Sequence, residues 1–169
     1  MNKILLAGAA VALLAAATPS SAQLATTRNQ LIGTWKVMTL KATAGDTVSY
    51  PLGQRPGGYV TITPDRIWLL FVDANRKAPA AAALTDAEAI AMMKSQVAWT
   101  GKYATAEQTQ DGIKLTAHVD AASSQAIVGN DRVYFMRVDG DKMRVRSPGV
   151  IVPMTGAVSV VEFELVKAD

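Results

Sequence analysis

Leu31-Ile-Gly-Thr-Trp-Lys-Val-Met38 is the stretch on which the fold turns. From Gly33 to Leu40 polar and apolar residues alternate, with Trp35 and Val37 on one face. A period of two over such a run is the pattern of a half-buried strand. It is the first strand-like segment of the chain, and it follows a segment of a different kind.

Upstream, Asn2 and Lys3 precede a continuous apolar run from Ile4 to Ala17, and Ser20-Ser21-Ala22 supplies small residues before Gln23. This is the three-part pattern of a secretory signal. The apolar run is shorter than the roughly 20 residues a bilayer requires, and no basic stop-transfer cluster follows it. Residues 1–22 are therefore expected to be a signal peptide and residues 23–169 one domain. The expected location is periplasmic or secreted, with no membrane span after cleavage. The chain has no cysteine, which excludes disulfides, thiolate metal sites and lipid attachment at the cleavage site. An exported domain of this kind must draw its stability from its core. Lys and Arg number 17 against 14 Asp and Glu, and Lys3 lies in the leader. This near balance, without a basic block, argues against nucleic acid as a partner.

Downstream of Leu40, a turn-rich stretch runs from Thr43 to Gly58. Tyr59–Thr63 and Arg66–Val72 read as a hairpin around Pro64-Asp65. Thr85-Asp-Ala-Glu88 is a capping box that opens a helix over about 85–97. Ala87, Ile90, Met93 and Val97 then share one helical face, which is expected to pack inward and plug one end of the fold. The strand pattern resumes in Trp99–Glu107 paired with Ile113–Asp120, in Arg132–Val138 paired with Lys142–Arg146 across Asp139-Gly-Asp141, and in Ala157–Val166. The sum is an all-β chain of eight antiparallel strands in hairpin order, with one helix between strands 3 and 4. An up-and-down β-barrel satisfies that order and leaves no open sheet edge; a sandwich is the alternative.

Several blocks in this order carry a family resemblance: Leu31-Ile-Gly-Thr-Trp35, Tyr50-Pro51-Leu52-Gly53, Pro56-Gly57-Gly58-Tyr59, Thr63-Pro64-Asp65, Trp99-Thr-Gly-Lys-Tyr103, Leu115-Thr-Ala-His-Val119, and Val128-Gly129 with Arg132. From about Leu31 to Val166 the chain resembles the bacterial and fungal lipocalin-like domain proteins. The resemblance implies a lipocalin-like barrel and a pocket rather than a particular reaction. The chain departs from the family at Ala117-His118, where two histidines are usual, and at Arg66, where glycine is usual. It departs again at Glu162-Phe163-Glu164, where a Trp-x-Arg is usual. In many lipocalin-type barrels a basic side chain covers the indole of the Gly-X-Trp. Glu164 cannot do so, which leaves Arg144 or Arg146 as the expected cover for Trp35.

Residues able to carry chemistry are few. His118 is the one histidine and the natural acid–base candidate. Alternation places it outward with Lys114, Thr116 and Asp120, unless a bulge reverses the phase. Glu162 and Glu164 share a face, either as an internal carboxylate pair or as two outward glutamates. Arg132 shares a face with Tyr134, Met136 and Val138. If that face is internal, the guanidinium needs a partner, either a ligand carboxylate or enolate or an internal acid such as Glu162 or Glu164. Tyr59, Trp68, Trp99, Tyr103 and Tyr134 complete the expected ligand-contacting set; the aromatics lie on predicted strands, where most serve as core. One histidine and no cysteine leave no expectation of a metal site, and no cofactor is implied.

Three functions follow as expectations. The first is binding of a small hydrophobic or amphipathic molecule inside the barrel. The second is a cofactor-independent isomerase or cyclase that uses the same pocket with His118 or Glu162. The third is a filled barrel that acts through its outer surface. The pocket readings call for a cavity of a few hundred Å³, on the order of known ligand pockets.

Overall fold

The strand that opens at Gly33 runs on to Ala44 as β1 and is the seam of the structure. The computed structural model describes residues 28–152 and 156–168; residues 1–22, expected from the sequence to be a signal peptide, lie outside them. After β1 come β2 (Thr47–Ser49), β3 (Gly57–Ile62), β4 (Arg66–Val72), helix α1 (Asp86–Lys94), β5 (Gln96–Thr109) and β6 (Gly112–Ala122). A single 3-10 turn (Gln125–Ile127) leads to β7 (Asp131–Asp139), β8 (Lys142–Ile151) and β9 (Val158–Lys167). From β3 onward each strand pairs antiparallel with the next, and β9 returns to β1 in a ladder from Trp35↔Lys167 to Thr43↔Val160. Eight strands, β1 and β3 to β9, thus close an antiparallel barrel. Closure satisfies the backbone groups that an open sheet would leave at its edges.

The turn-rich stretch contains one strand that local pattern did not reveal. β1 gives one edge to β9, pairs through Gly33–Lys36 with β3, and pairs through Ala42–Ala44 with β2. β2 is a three-residue spur held by that otherwise vacant end of β1. Gly58, at φ +130, allows the β3–β4 approach: a Cβ there would lie 1.9 Å from the Leu70 carbonyl oxygen.

Bulges reset the alternation. In β1 the pairing shifts between Val37 and Thr39, so Met38 faces out and Leu40 returns to the core. A second shift between Arg146 and Gly149 lets β8 continue beyond Arg146, with Ser147 turned inward. Inward side chains, among them Trp35, Phe71, Leu115, Met136 and Leu165, fill the interior.

The two ends differ. One is closed by a helical turn at 28–31 and by tight turns at Thr63–Asp65, Gln110–Asp111 and Gly140–Asp141. At the other, the mouth, the longer connections gather, α1 among them. Thr85 caps α1 and forms the capping box with Glu88. The helix ends at Lys94, and Val97 belongs to β5. Its expected role as an inward plug is corrected: no α1 residue is buried, and Ile90 and Met93 are 55% and 52% exposed. With only nine residues and a thin apolar face, the helix has too little surface to bury against the barrel.

Candidate functional site

Two concavities stand out among the described residues, and their linings differ in kind. The larger, about 900 Å³, runs along the outer wall over β7, β8, β9 and β1. Part of its charge is paired across the lining. Lys41 meets Glu162 at 2.8 Å, Arg144 lies 3.9 Å from Glu164, and Arg137 donates to the Gln110 and Asp111 carbonyls. The smaller, about 90 Å³, enters the barrel at the mouth. It is walled by apolar side chains, including Leu40, Val97, Trp99, Val161 and Phe163, with Arg132 and Tyr134 among them.

The inner cavity is the candidate site because its geometry is built from the core outward. An aromatic cluster forms its floor. Trp99 and Tyr134 stack at 5.9 Å with rings 6° apart, Phe163 leans on Tyr134 at 5.9 Å, and Phe71 meets Phe163 edge-on at 5.4 Å. These rings come from β4, β5, β7 and β9, brought together only by closure. The cavity is far smaller than the few hundred Å³ anticipated from the sequence. The reason is these rings: four large side chains converge on the volume that a ligand would otherwise take.

The face of β7 that the sequence left undecided is settled. Tyr134 and Met136 are buried and Arg132 is half-buried inside the mouth, whereas Arg137 is exposed. Burial pushes the Tyr134 hydroxyl up to about 12, against the pull of the Arg132 charge and of a Trp99 hydrogen bond. The phenol therefore stays protonated at any physiological pH. Ser147, the other polar side chain of the lining, is already engaged: its hydroxyl donates to the Pro148 carbonyl and accepts from the Val161 N–H.

Arg132 has no such partner. Among the described residues no carboxylate pairs with it and no hydrogen bond is made by its guanidinium. Glu162 and Glu164, considered as internal partners, both point outward, to Lys41 and Arg144. Asp131 lies outside and meets His118 at 2.9 Å, and Asp120 meets Arg66 at 2.9 Å.

The other residues singled out in the sequence are dispersed. His118 is on the outer face, its side chain 61% exposed, as the alternation of β6 indicates. Glu162, the second acid–base candidate, is outward as well, so neither borders the cavity. Tyr59 and Trp68 are corrected as pocket residues: each is 43% exposed on the outer wall. They lie in phase with Thr61 and Leu70, the solvent side of the β3–β4 hairpin. Tyr103 is buried, but toward the closed end, where its hydroxyl donates to the Thr63 carbonyl. Burial raises its pKa, opposed by the charge of Arg28. Sequence reasoning passed over Phe71 and Phe163, whose inward phase on β4 and β9 was the available signal. No group of three or more His, Cys, Asp or Glu residues fit to hold a metal ion occurs among the described residues.

The closed end carries a further correction. The Trp35 indole N–H donates to the Leu31 carbonyl at 2.9 Å, and the cation over its ring is Lys167, with Nζ 5.8 Å from the centroid. Arg144 and Arg146 lie outward on β8, away from it. The bulge in β1 sets the register, placing Lys167 opposite Trp35, three residues beyond Glu164.

No solved structure and no curated protein matches the chain. The family model described as a lipocalin-like domain matches residues 32–163, from just before the Gly-X-Trp of β1 into the last barrel strand, and the chain belongs to the lipocalin-like domain family.

Proposed function

We propose that the protein is exported and binds a small, mainly apolar molecule at the mouth of its barrel. The observation that carries the binding is the aromatic-floored cavity beside Trp99, Tyr134 and Phe163. A volume of about 90 Å³ takes a short alkyl group or a ring edge, not a whole drug-sized ligand, whose pockets run to about 300–1,000 Å³. The remainder of the ligand then rests on the rim, where Pro51, Val150 and the largely exposed Ile151 continue the apolar wall. Each buried methylene contributes about 0.8 kcal/mol, so affinity rests on the inserted end. The isomerase or cyclase reading drew on His118 or Glu162 in the pocket, and the outward placement of both leaves binding the better supported function. Export rests on the leader at 1–22.

Native mass spectrometry of the protein purified from its own host tests both halves. The expected species starts at Gln23 and carries a retained small molecule. Filling the cavity by Val161→Phe should abolish retention. A species that starts at Met1 removes the export reading. A ligand-free protein that also shows no shift of Trp99, Tyr134 and Phe163 NMR signals with short alcohols supports the filled-barrel alternative.

A further inference from the structure

Among the described residues, Arg132 is the one charged group that lines the inner cavity, and it decides which ligands the cavity accepts. Arg132 stands in an apolar wall without a counter-ion among the described residues, and every acid considered as its partner is turned outward. Arg132 is half-buried, which leaves its guanidinium open to solvent at the mouth. An apolar ligand on the rim excludes solvent from it. A neutral ligand would then strand a desolvated cation, which is costly. A cationic ligand would add repulsion. A carboxylate instead accepts two parallel N–H donors in the planar geometry that the guanidinium presents. The Tyr134 phenol, neutral and two residues along the same inward face, is a second donor for the same head.

We propose that the ligand is a monoanionic amphiphile, a small carboxylate-bearing molecule whose head pairs with Arg132 at the mouth while its apolar end enters the cavity. The inference rests on the binding function proposed above and adds the chemical class of the ligand. Selectivity then arises from the unpaired charge and not from shape: the apolar wall accepts many tails, and the arginine rejects heads that cannot neutralise it.

Three probes with one tail separate head from tail: hexanoate, 1-hexanol and hexylamine, titrated into the protein at neutral pH by calorimetry. Hexanoate is expected to bind at least tenfold more tightly than 1-hexanol, with hexylamine the weakest. Arg132→Gln should erase the difference between hexanoate and hexanol. Arg132→Lys, which keeps the charge but not the fork, should retain a preference of a few fold. Thermal unfolding of both variants verifies that they are folded. Hexanol bound as well as hexanoate, or a hexanoate preference that survives Arg132→Gln, overturns the anionic class while the apolar pocket stands. Failure of all three probes to bind overturns the pocket itself and this inference with it.

Discussion

Tyr134 and Trp35 stand toward opposite ends of the barrel, and in each the polar atom of an aromatic ring finds a different solution. Trp35 spends its N–H on the Leu31 carbonyl and receives Lys167 over its face. An exposed cation–π contact of this kind contributes about 0.5–1 kcal/mol, so Lys167 trims the closed end rather than holding it. The Tyr134 hydroxyl instead shares a hydrogen bond with the Trp99 side chain, and burial raises its pKa to about 12. The unfolded chain releases this proton near pH 10, the ordinary tyrosine value. The folded state thus binds more protons between pH 10 and pH 12. The stability tied to the protonated phenol is complete below pH 10 and is lost as pH rises toward 12, at up to about 1.4 kcal/mol per pH unit for one proton. Urea midpoints across that window should fall less steeply for Tyr134→Phe than for the natural protein; parallel slopes would count against a buried phenol. At this scale the sequence was partly legible. Arg132 and Tyr134 were visible as a pair because they are two residues apart, whereas the Trp35–Lys167 contact spans the barrel seam and depends on a bulge.

Among the elements, α1 is the one whose existence was plain and whose placement was not. A capping box is local chemistry, and Thr85 and Glu88 engage each other without help from the barrel. The inward direction of Ile90 and Met93 was inferred from helical spacing alone, and spacing says which residues share a face but not what that face meets. Substituting both, Ile90→Ser with Met93→Ser, is expected to change unfolding free energy by less than about 0.5 kcal/mol per site. Leu165→Ala, a fully buried site on β9, should cost about 2–5 kcal/mol. Chemical denaturation of the two variants side by side checks the contrast; a large loss in the helix variant would mean that α1 does seal the mouth. β2 was missed for the converse reason: three residues, Thr47–Ser49, carry no period, and they form a strand only because β1 extends past β3 and leaves an edge to pair.

For the whole molecule, closure between β1 and β9 is the event that creates the interior. Lys41 sits opposite Glu162 in a part of β1 that pairs with neither β2 nor β3. Lys41→Pro removes a ladder donor there and fixes φ against the strand. The expected result is loss of a single cooperative thermal transition and a tendency to aggregate through the freed edges, whereas Lys41→Ala unfolds cooperatively. A cooperative Lys41→Pro protein would show that the seam is dispensable. Closure also sets the cavity. Trp99, Tyr134 and Phe163 come from strands far apart in sequence, so no window of residues could have revealed that their rings meet or that so little space remains between them.

The sequence by itself determined the run of strands, the capped helix and the absence of thiols, and it favoured an outward His118, because each depends on residues a few positions apart. Only the tertiary structure decided the rest. It turned Arg132 inward and Glu162 outward, brought Lys167 rather than an arginine to Trp35, put Tyr59 and Trp68 on the outer wall and filled most of the barrel. The physical reason is that a bulge of one residue exchanges the two faces of a strand, and that a cavity is the space left over when distant side chains have packed.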